Sequence, residues 1–149
     1  MSNPEARFVG FDTFTGLPEH RRATESLGAF NANGHLPDIT DSRCSFEVGL
    51  FQETLGRFIK RNDLSARLVV NLDADMYTST LFVLASLAPH LKSGDLIFFD
   101  EFSCPLDEYR AFEDYVRAFR VSYKVIGAVP GYTRICVKLL DISVPESAI

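Results

Sequence analysis

The sequence has no long hydrophobic run, few cysteines and no secretion signal, and these absences exclude several classes of protein. No apolar stretch approaches the roughly 20 residues that a membrane-spanning helix requires. The first residues lack the hydrophobic core of a signal peptide. The three cysteines are too widely spaced to suggest a disulfide framework or a zinc knuckle: Cys44, Cys104 and Cys136. We therefore expect a cytoplasmic protein without membrane association.

Basic runs and the common nucleotide and hydrolase motifs are also missing. The formal net charge is −5, which argues against a nucleic-acid-binding surface. No G-x-S-x-G, P-loop or G-x-G-x-x-G motif occurs. A serine hydrolase, a P-loop NTPase and a standard dinucleotide site therefore lack their sequence markers.

The sequence does contain alternating strand-like and helix-like segments. Strands are predicted at residues 7–11, 44–48, 67–72 and 96–99, helices at 51–59, 77–91 and 107–119, and a closing hairpin at 121–129 and 134–140. This order predicts an α/β fold with a mostly parallel sheet and a C-terminal antiparallel hairpin. The 149 residues suit a single domain, residues 1–149, with a long loop or lid at 13–43 and a tail at 143–149.

Pairs of acidic residues follow two of the predicted strands. Asp73 and Asp75 come after one apolar run, and Asp100 and Glu101 come after the next. Ligands of open α/β sheets bind outside the carboxyl ends of the strands, and carboxylates crowd together there only with a cation or a proton. Two acids separated by one residue project to the same side of an extended backbone. The pattern favours a divalent-metal or acid/base site, although Asp75 is also placed to cap the next helix.

A further carboxylate, Asp12, ends the first predicted strand. A carboxylate at this place can accept the hydroxyls of a ribose, as in nucleotide-binding α/β folds. It can equally form a local turn with the residues that follow.

Four segments of the chain together resemble the macrocin/mycinamicin type of sugar O-methyltransferases. The first resembles the family's GFDSFEGLPE segment, and the others resemble its G-x-F-x-[DE]-T-L, LDxDLYxST and GGxIxxDDY elements. They lie, in this order, at residues 10–19, 48–55, 72–80 and 94–102. The similarity extends from about residue 8 to about residue 140.

The resemblance implies a class I methyltransferase fold, with strand order 3-2-1-4-5-7-6, that uses S-adenosylmethionine and Mg²⁺ on a sugar-like small molecule. It implies cofactor binding by Asp12, which would bind the ribose, by Gly49 and Phe51, which would lie near the adenine, and by Asp73. It also implies that Asp73, the predicted catalytic residue, or a neighbour assists removal of the proton from the acceptor hydroxyl. The implied ligands of Mg²⁺ are Asp73, Asp100 and Glu101, the last standing where an aspartate is usual.

In this family a first strand and a glycine-rich turn precede the strand that ends here at Asp12. Only seven residues precede Phe8, so we expect this chain to lack both features. The missing strand is the central one, so either its neighbours pair directly or two sheet edges lie open. Open edges pair readily with another chain, which predicts a homo-oligomer.

Three alternatives remain open. A nucleotide-sugar glycosyltransferase can hold a metal and a diphosphate with an Asp-x-Asp motif. A phosphohydrolase with Asp73 as nucleophile needs a lysine on another loop, whereas Lys92 lies near a predicted helix end. A non-catalytic remnant of the fold would oligomerise through its exposed sheet edge.

Overall fold

The protein is described by a computed structural model over residues 3–21, 23 and 25–142, apart from the side chains of 141 and 142. It divides into two compact units, Met1–Arg61 and Asn62–Ile149, which are described separately. The predicted tail at 143–149 lies outside the described residues. No helix in the described part of the chain is both long and apolar enough to span a membrane.

The first unit contains two parallel strands and one helix. Strand β1 (Phe8–Asp12) pairs with β2 (Cys44–Val48), and helix α1 (Phe51–Arg61) follows. The helical spacing of Phe51, Leu55, Phe58 and Ile59 predicts that they share one face. This face is the inward one, because Leu55 is buried and the rings of Phe58 and Phe11 lie edge to face at 5.1 Å. The carboxyl ends of both strands lie side by side, with Asp12 opposite Val48.

The segment between β1 and β2 is irregular, as predicted, but it folds back on itself. The Leu17 N–H donates to the Ala29 carbonyl, and the Gly28 N–H donates to the Leu17 carbonyl, each at 2.9 Å. The side chains of Phe14 and Leu17 are buried. The described part of this loop therefore has apolar anchors of its own.

The second unit alternates strands and helices before a closing hairpin. Its elements are β3 (Val69–Leu72), α2 (Tyr77–Leu87), β4 (Leu96–Phe99), α3 (Glu108–Phe119), β5 (Val121–Ala128) and β6 (Ile135–Ile142). The sheet order is β3-β4-β6-β5, with β3 parallel to β4 and β6 antiparallel to both of its neighbours. This is the order 4-5-7-6 that the resemblance implies, so the α/β fold class is confirmed.

Helix α2 is shorter than the prediction of residues 77–91, since it ends at Leu87. Pro89 accounts for this end, because proline has no N–H to donate to the preceding turn. Ala88, just before it, still has helical dihedral angles, with φ −48° and ψ −43°. The chain continues in a turn, with the His90 N–H donating to the Leu87 carbonyl.

Helix α3 buries a different face from the one that its spacing predicts. The pattern predicts an inward face of Tyr109, Phe112, Val116 and Phe119. The buried residues are instead Glu108, Ala111, Phe112 and Tyr115. The helix has two overlapping apolar stripes that share Phe112, whose ring centroid lies 4.9 Å from that of Phe99 of β4. The stripes differ in Tyr115, which is fully buried, and Tyr109, which is 37% exposed. Glu108 is thereby turned into the interior.

Candidate active site

The two acidic strand ends lie at one edge of the second unit's sheet. Leu72 is paired with Phe99 in the parallel register, so Asp73 and Asp100 leave the sheet on the same side. The Asp100 N–H donates to the Leu72 carbonyl at 3.1 Å, which continues the pairing one residue beyond β4. The predicted meeting of the two acidic segments is confirmed at the level of the backbone.

The conformation of the Asp-x-Asp segment differs from the prediction. Asp75 adopts a left-handed conformation with φ 61°, and the Met76 N–H turns back to the Ala74 carbonyl. The extended backbone predicted for these residues is therefore wrong, because β3 ends at Leu72 and a tight turn follows. Met76 takes the N-cap position of α2. A non-glycine residue in this region is uncommon, although aspartate tolerates it better than most residues.

A fifth carboxylate, that of Glu108, connects the two segments. Its Oε1 accepts the Ala74 N–H at 3.3 Å, and its Oε2 accepts the Glu101 N–H at 3.0 Å. The residue is fully buried. The sequence pattern does not single out Glu108, because the predicted helix begins one residue earlier, at Asp107. Glu108 is in fact the first residue of α3, where a carboxylate also interacts favourably with the helix dipole.

The electrostatic environment of Glu108 is unusual. Burial raises the pKa of its carboxyl from 4.5 to about 7, against the two backbone hydrogen bonds, which lower it. The neighbouring charges of Asp73 and Asp75 are smaller contributions to the same raised pKa. The carboxyl ends of β3 and β4 therefore hold a concentration of negative charge around one interior acid.

The donor set tests whether a divalent cation fits here. Among the described residues no three Asp, Glu, His or Cys side chains are grouped so that they could hold a metal. Asp100 is bound by an arginine instead, with its Oδ1 2.5 Å from Nε of Arg134. The predicted set of Asp73, Asp100 and Glu101 does not fit Mg²⁺ in this arrangement.

In the first unit, the predicted cofactor residues lie together at the carboxyl ends of β1 and β2. The Gly49 N–H donates to the Asp12 carbonyl at 3.0 Å, and Phe51 begins α1 two residues later. The Asp12 side chain forms the local turn considered above, because its Oδ1 accepts the Phe14 N–H at 2.6 Å. Ribose binding by Asp12 remains a prediction.

A cavity of about 420 Å³ opens at the same strand ends. Its walls come from the loop after β1 and from the turn between β2 and α1, including Thr13, Gly16, Leu17, Gly49 and Glu53. Asp12 and Phe51 are not among the lining residues. The volume is in the range of small-molecule sites, roughly 300 to 1,000 Å³.

Gly49 is the lining residue whose identity the backbone demands. Its φ is +134°, and a Cβ atom there would lie 3.1 Å from Oε2 of Glu53 and 3.3 Å from Cγ2 of Thr54. The glycine lets the backbone enter the turn and keeps this wall of the cavity open. Glu53 in turn closes the start of α1, since its Oε2 accepts the Leu50 N–H at 3.3 Å.

Comparisons with known proteins give one family and one fold. The sequence profile described as Macrocin-O-methyltransferase (TylF) matches residues 5–128. No curated protein sequence matches the chain.

Similar solved structures are methyltransferases. The crystal structure of CalS11, a calicheamicin methyltransferase, is 24% identical with a TM-score of 0.70, and the match covers 91% of this chain and 61% of that one. The apo structure of CalS11, described as a TDP-rhamnose 3′-O-methyltransferase, is 23% identical with a TM-score of 0.62, covering 91% and 59%. The O-methyltransferase NovP is 18% identical with a TM-score of 0.62, covering 91% and 61%. The chain thus spans about three fifths of these structures, and the likeness shows a class I methyltransferase fold.

Proposed function

Because the chain belongs to the macrocin O-methyltransferase (TylF) family, we propose that it transfers a methyl group from S-adenosylmethionine to a hydroxyl of a sugar-bearing small molecule. The observation that carries this proposal is the profile match over residues 5–128, which includes both strand-end sites. One similar structure is described as a TDP-rhamnose 3′-O-methyltransferase, which supports a sugar-like acceptor. We therefore propose a small molecule as the partner.

The first unit supplies the features that suit the cofactor. Its cavity has a suitable volume, and Gly49 leaves one wall free of a side chain. We propose that Gly49 and Phe51 contact the adenine and that Asp12 contacts the ribose, while its Oδ1 continues to hold the Phe14 N–H. When bound, S-adenosylmethionine would supply an electrophilic methyl group on a positively charged sulfur.

The second unit supplies the carboxylates that suit proton removal. We propose that Asp73 accepts the proton of the acceptor hydroxyl as its oxygen bonds to the methyl carbon and the carbon–sulfur bond breaks. Glu108 lies beside these carboxylates without being exposed. Magnesium dependence stays a prediction from the resemblance, and no step is assigned to a metal because the carboxylates as placed do not fit one.

Calorimetric titration of the full chain separates this proposal from the alternatives. We expect S-adenosylhomocysteine to bind. Binding of a nucleotide sugar without S-adenosylhomocysteine would contradict the proposal and favour a glycosyltransferase. Binding of neither ligand, with a dimer in solution, would favour a non-catalytic remnant.

Two variants of Asp12 test the ribose assignment. Asp12→Ala removes both the charge and the turn bond, whereas Asp12→Asn keeps an oxygen for the Phe14 N–H. Both should weaken S-adenosylhomocysteine binding if the carboxylate holds the ribose. Asn31→Ala is the matched control, because Asn31 accepts the Asn33 N–H in a similar exposed turn of the same unit. If only Asp12→Ala weakens binding, the residue acts through its turn and the assignment is wrong.

Asp73→Asn tests the base assignment through transfer of a labelled methyl group. We expect turnover to fall by about 10²-fold or more, the usual size of a general-base contribution, while S-adenosylhomocysteine affinity stays the same. Asp63→Asn is the control, because Asp63 is another exposed-turn aspartate of the second unit. Unchanged turnover in Asp73→Asn would remove the assignment.

We also propose that the chain forms a homo-oligomer. In the second unit's sheet β3 is an edge strand, and Val69 on it is 61% exposed. Edge strands of this kind pair readily with another chain. Sedimentation equilibrium should show a dimer or larger species, and Val69→Lys should shift it towards monomer. A monomer at all concentrations would contradict the proposal.

A further inference from the structure

Two buried carboxylates bracket the β3–β4 strand pair, one at each end. At the amino end, Asp95 accepts the Leu68 N–H and the Lys92 N–H, each at 2.9 Å. At the carboxyl end, Glu108 accepts the Ala74 N–H and the Glu101 N–H. Both carboxylates are almost completely buried. Both carboxylates accept two backbone N–H groups at one end of the strand pair. Only Glu108, however, contacts the segments that carry the acids of the candidate site.

We propose that Glu108 is a positioning residue, which holds the Asp73–Asp75 turn and the Asp100–Glu101 segment in one fixed arrangement. The proposal deepens the proposed function and rests on it for its catalytic consequence. Each of the two hydrogen bonds fixes the backbone next to an acid of the candidate site: Ala74 follows Asp73, the candidate base, and Glu101 follows Asp100, a predicted metal ligand. Because one carboxylate binds both segments, it fixes their positions relative to each other.

The surroundings explain why a side chain is needed for this task. The segment after β3 is a tight turn with a left-handed residue, so its N–H groups cannot continue the ladder to β4. A fully buried N–H without an acceptor costs about 1–3 kcal/mol, and the Glu108 oxygens provide acceptors for two partly buried N–H groups. Glu108 itself is held by α3, whose Phe112 packs on Phe99 at the end of β4.

A substitution that keeps the shape separates positioning from general stability. Glu108→Gln retains one oxygen acceptor but presents an NH₂ group to the other backbone N–H, so one of the two hydrogen bonds is lost. Asp95→Asn makes the same change at the opposite end of the same strands. Both proteins are compared at a temperature where thermal unfolding shows them to be fully folded.

Amide NMR spectra test directly whether Glu108 holds the two backbone N–H groups. In Glu108→Gln the N–H resonance of Ala74, of Glu101 or of both should move, and its hydrogen exchange should accelerate by about tenfold or more. Asp95→Asn should instead affect the amides of Leu68 and Lys92. Unchanged Ala74 and Glu101 amides in Glu108→Gln would overturn the proposal, whether or not the protein transfers methyl groups.

Kinetics tests the catalytic consequence. Glu108→Gln should lower kcat for methyl transfer by about tenfold or more, since small misplacements of reacting groups are costly, while S-adenosylhomocysteine affinity changes less than twofold. Asp95→Asn should keep kcat within about twofold of the parent. Equal losses in both variants would reduce Glu108 to a stabilising residue and overturn the positioning role. A parent protein with no methyl transfer would instead refute the proposed function. The amide spectra alone would then decide whether Glu108 holds the two segments together.

Discussion

Glu108 makes the stability of this protein depend on pH in a direction opposite to that of most carboxylates. Burial raises the pKa of Glu108 from 4.5 to about 7 in the folded protein. Between these two pH values the folded state holds a proton that the unfolded state has already released. The free energy of unfolding therefore falls as pH rises, and the stability present below pH 4.5 is lost by about pH 7.

The magnitude follows from the size of this shift. One pKa unit corresponds to about 1.4 kcal/mol, so the shift amounts to about 3 kcal/mol. Glutamine does not titrate, so the stability of the parent relative to Glu108→Gln should decline by about this amount between pH 4.5 and pH 8. The charges of Asp73 and Asp75 act on Glu108, and both the parent and the variant retain these residues. The difference in stability between the two proteins therefore reports on the Glu108 carboxyl.

Urea unfolding followed by circular dichroism measures this difference at several pH values across the range. The linear dependence of unfolding free energy on urea gives each value. A carbon-detected NMR titration of the Glu108 carboxyl supplies an independent midpoint, which should lie near 7. A pH-independent difference between the two proteins, or a parent that gains relative stability as pH rises, would refute the reasoning.

Three further substitutions give separate expectations. Gly49→Ala should destabilise the protein by about 1–3 kcal/mol in thermal unfolding, because φ +134° strains any side chain and the new Cβ meets Glu53; an unchanged melting temperature would contradict this. Leu84→Ala, at a fully buried position, should lower the urea-derived stability by about 2–5 kcal/mol, and a loss below 1 kcal/mol would indicate that the site collapses around the cavity. Arg134→Gln should tighten Mg²⁺ binding in calorimetry by up to about fivefold if the arginine competes for Asp100, since exposed ion pairs contribute at most about 1 kcal/mol. Equal Mg²⁺ affinity in the parent and the variant would show that Asp100 takes no part in binding the ion.

The spacing of apolar residues predicted a strand or helix correctly where it was compatible with only one buried face. β2 and β4 have the predicted bounds, and the apolar face of α1 is the predicted one. The pattern of α3 is compatible with two faces that share Phe112, and the predicted face is wrong in its other residues, because only packing in the folded protein decides which stripe is buried. The observed orientation of α3 also buries Glu108. From the sequence alone, a glutamate at the first residue of a helix is expected to face solvent.

The candidate sites show the same division. Acidic residues directly after apolar runs predicted where Asp73 and Asp100 leave the sheet, since strand direction follows from the alternation of strands and helices. The left-handed turn at Asp75 and the Arg134–Asp100 pair were not predictable, because each depends on the packing of segments around the strand ends.

The sequence by itself thus determined the fold class, the family and the strand ends at which chemistry is expected, because hydrophobic periodicity and short motifs are local properties. The tertiary structure alone decided that Glu108 is buried between the two acidic segments and that Asp100 pairs with Arg134. Those outcomes depend on side chains that are distant in the chain and on the loss of water around them, and no local pattern records either.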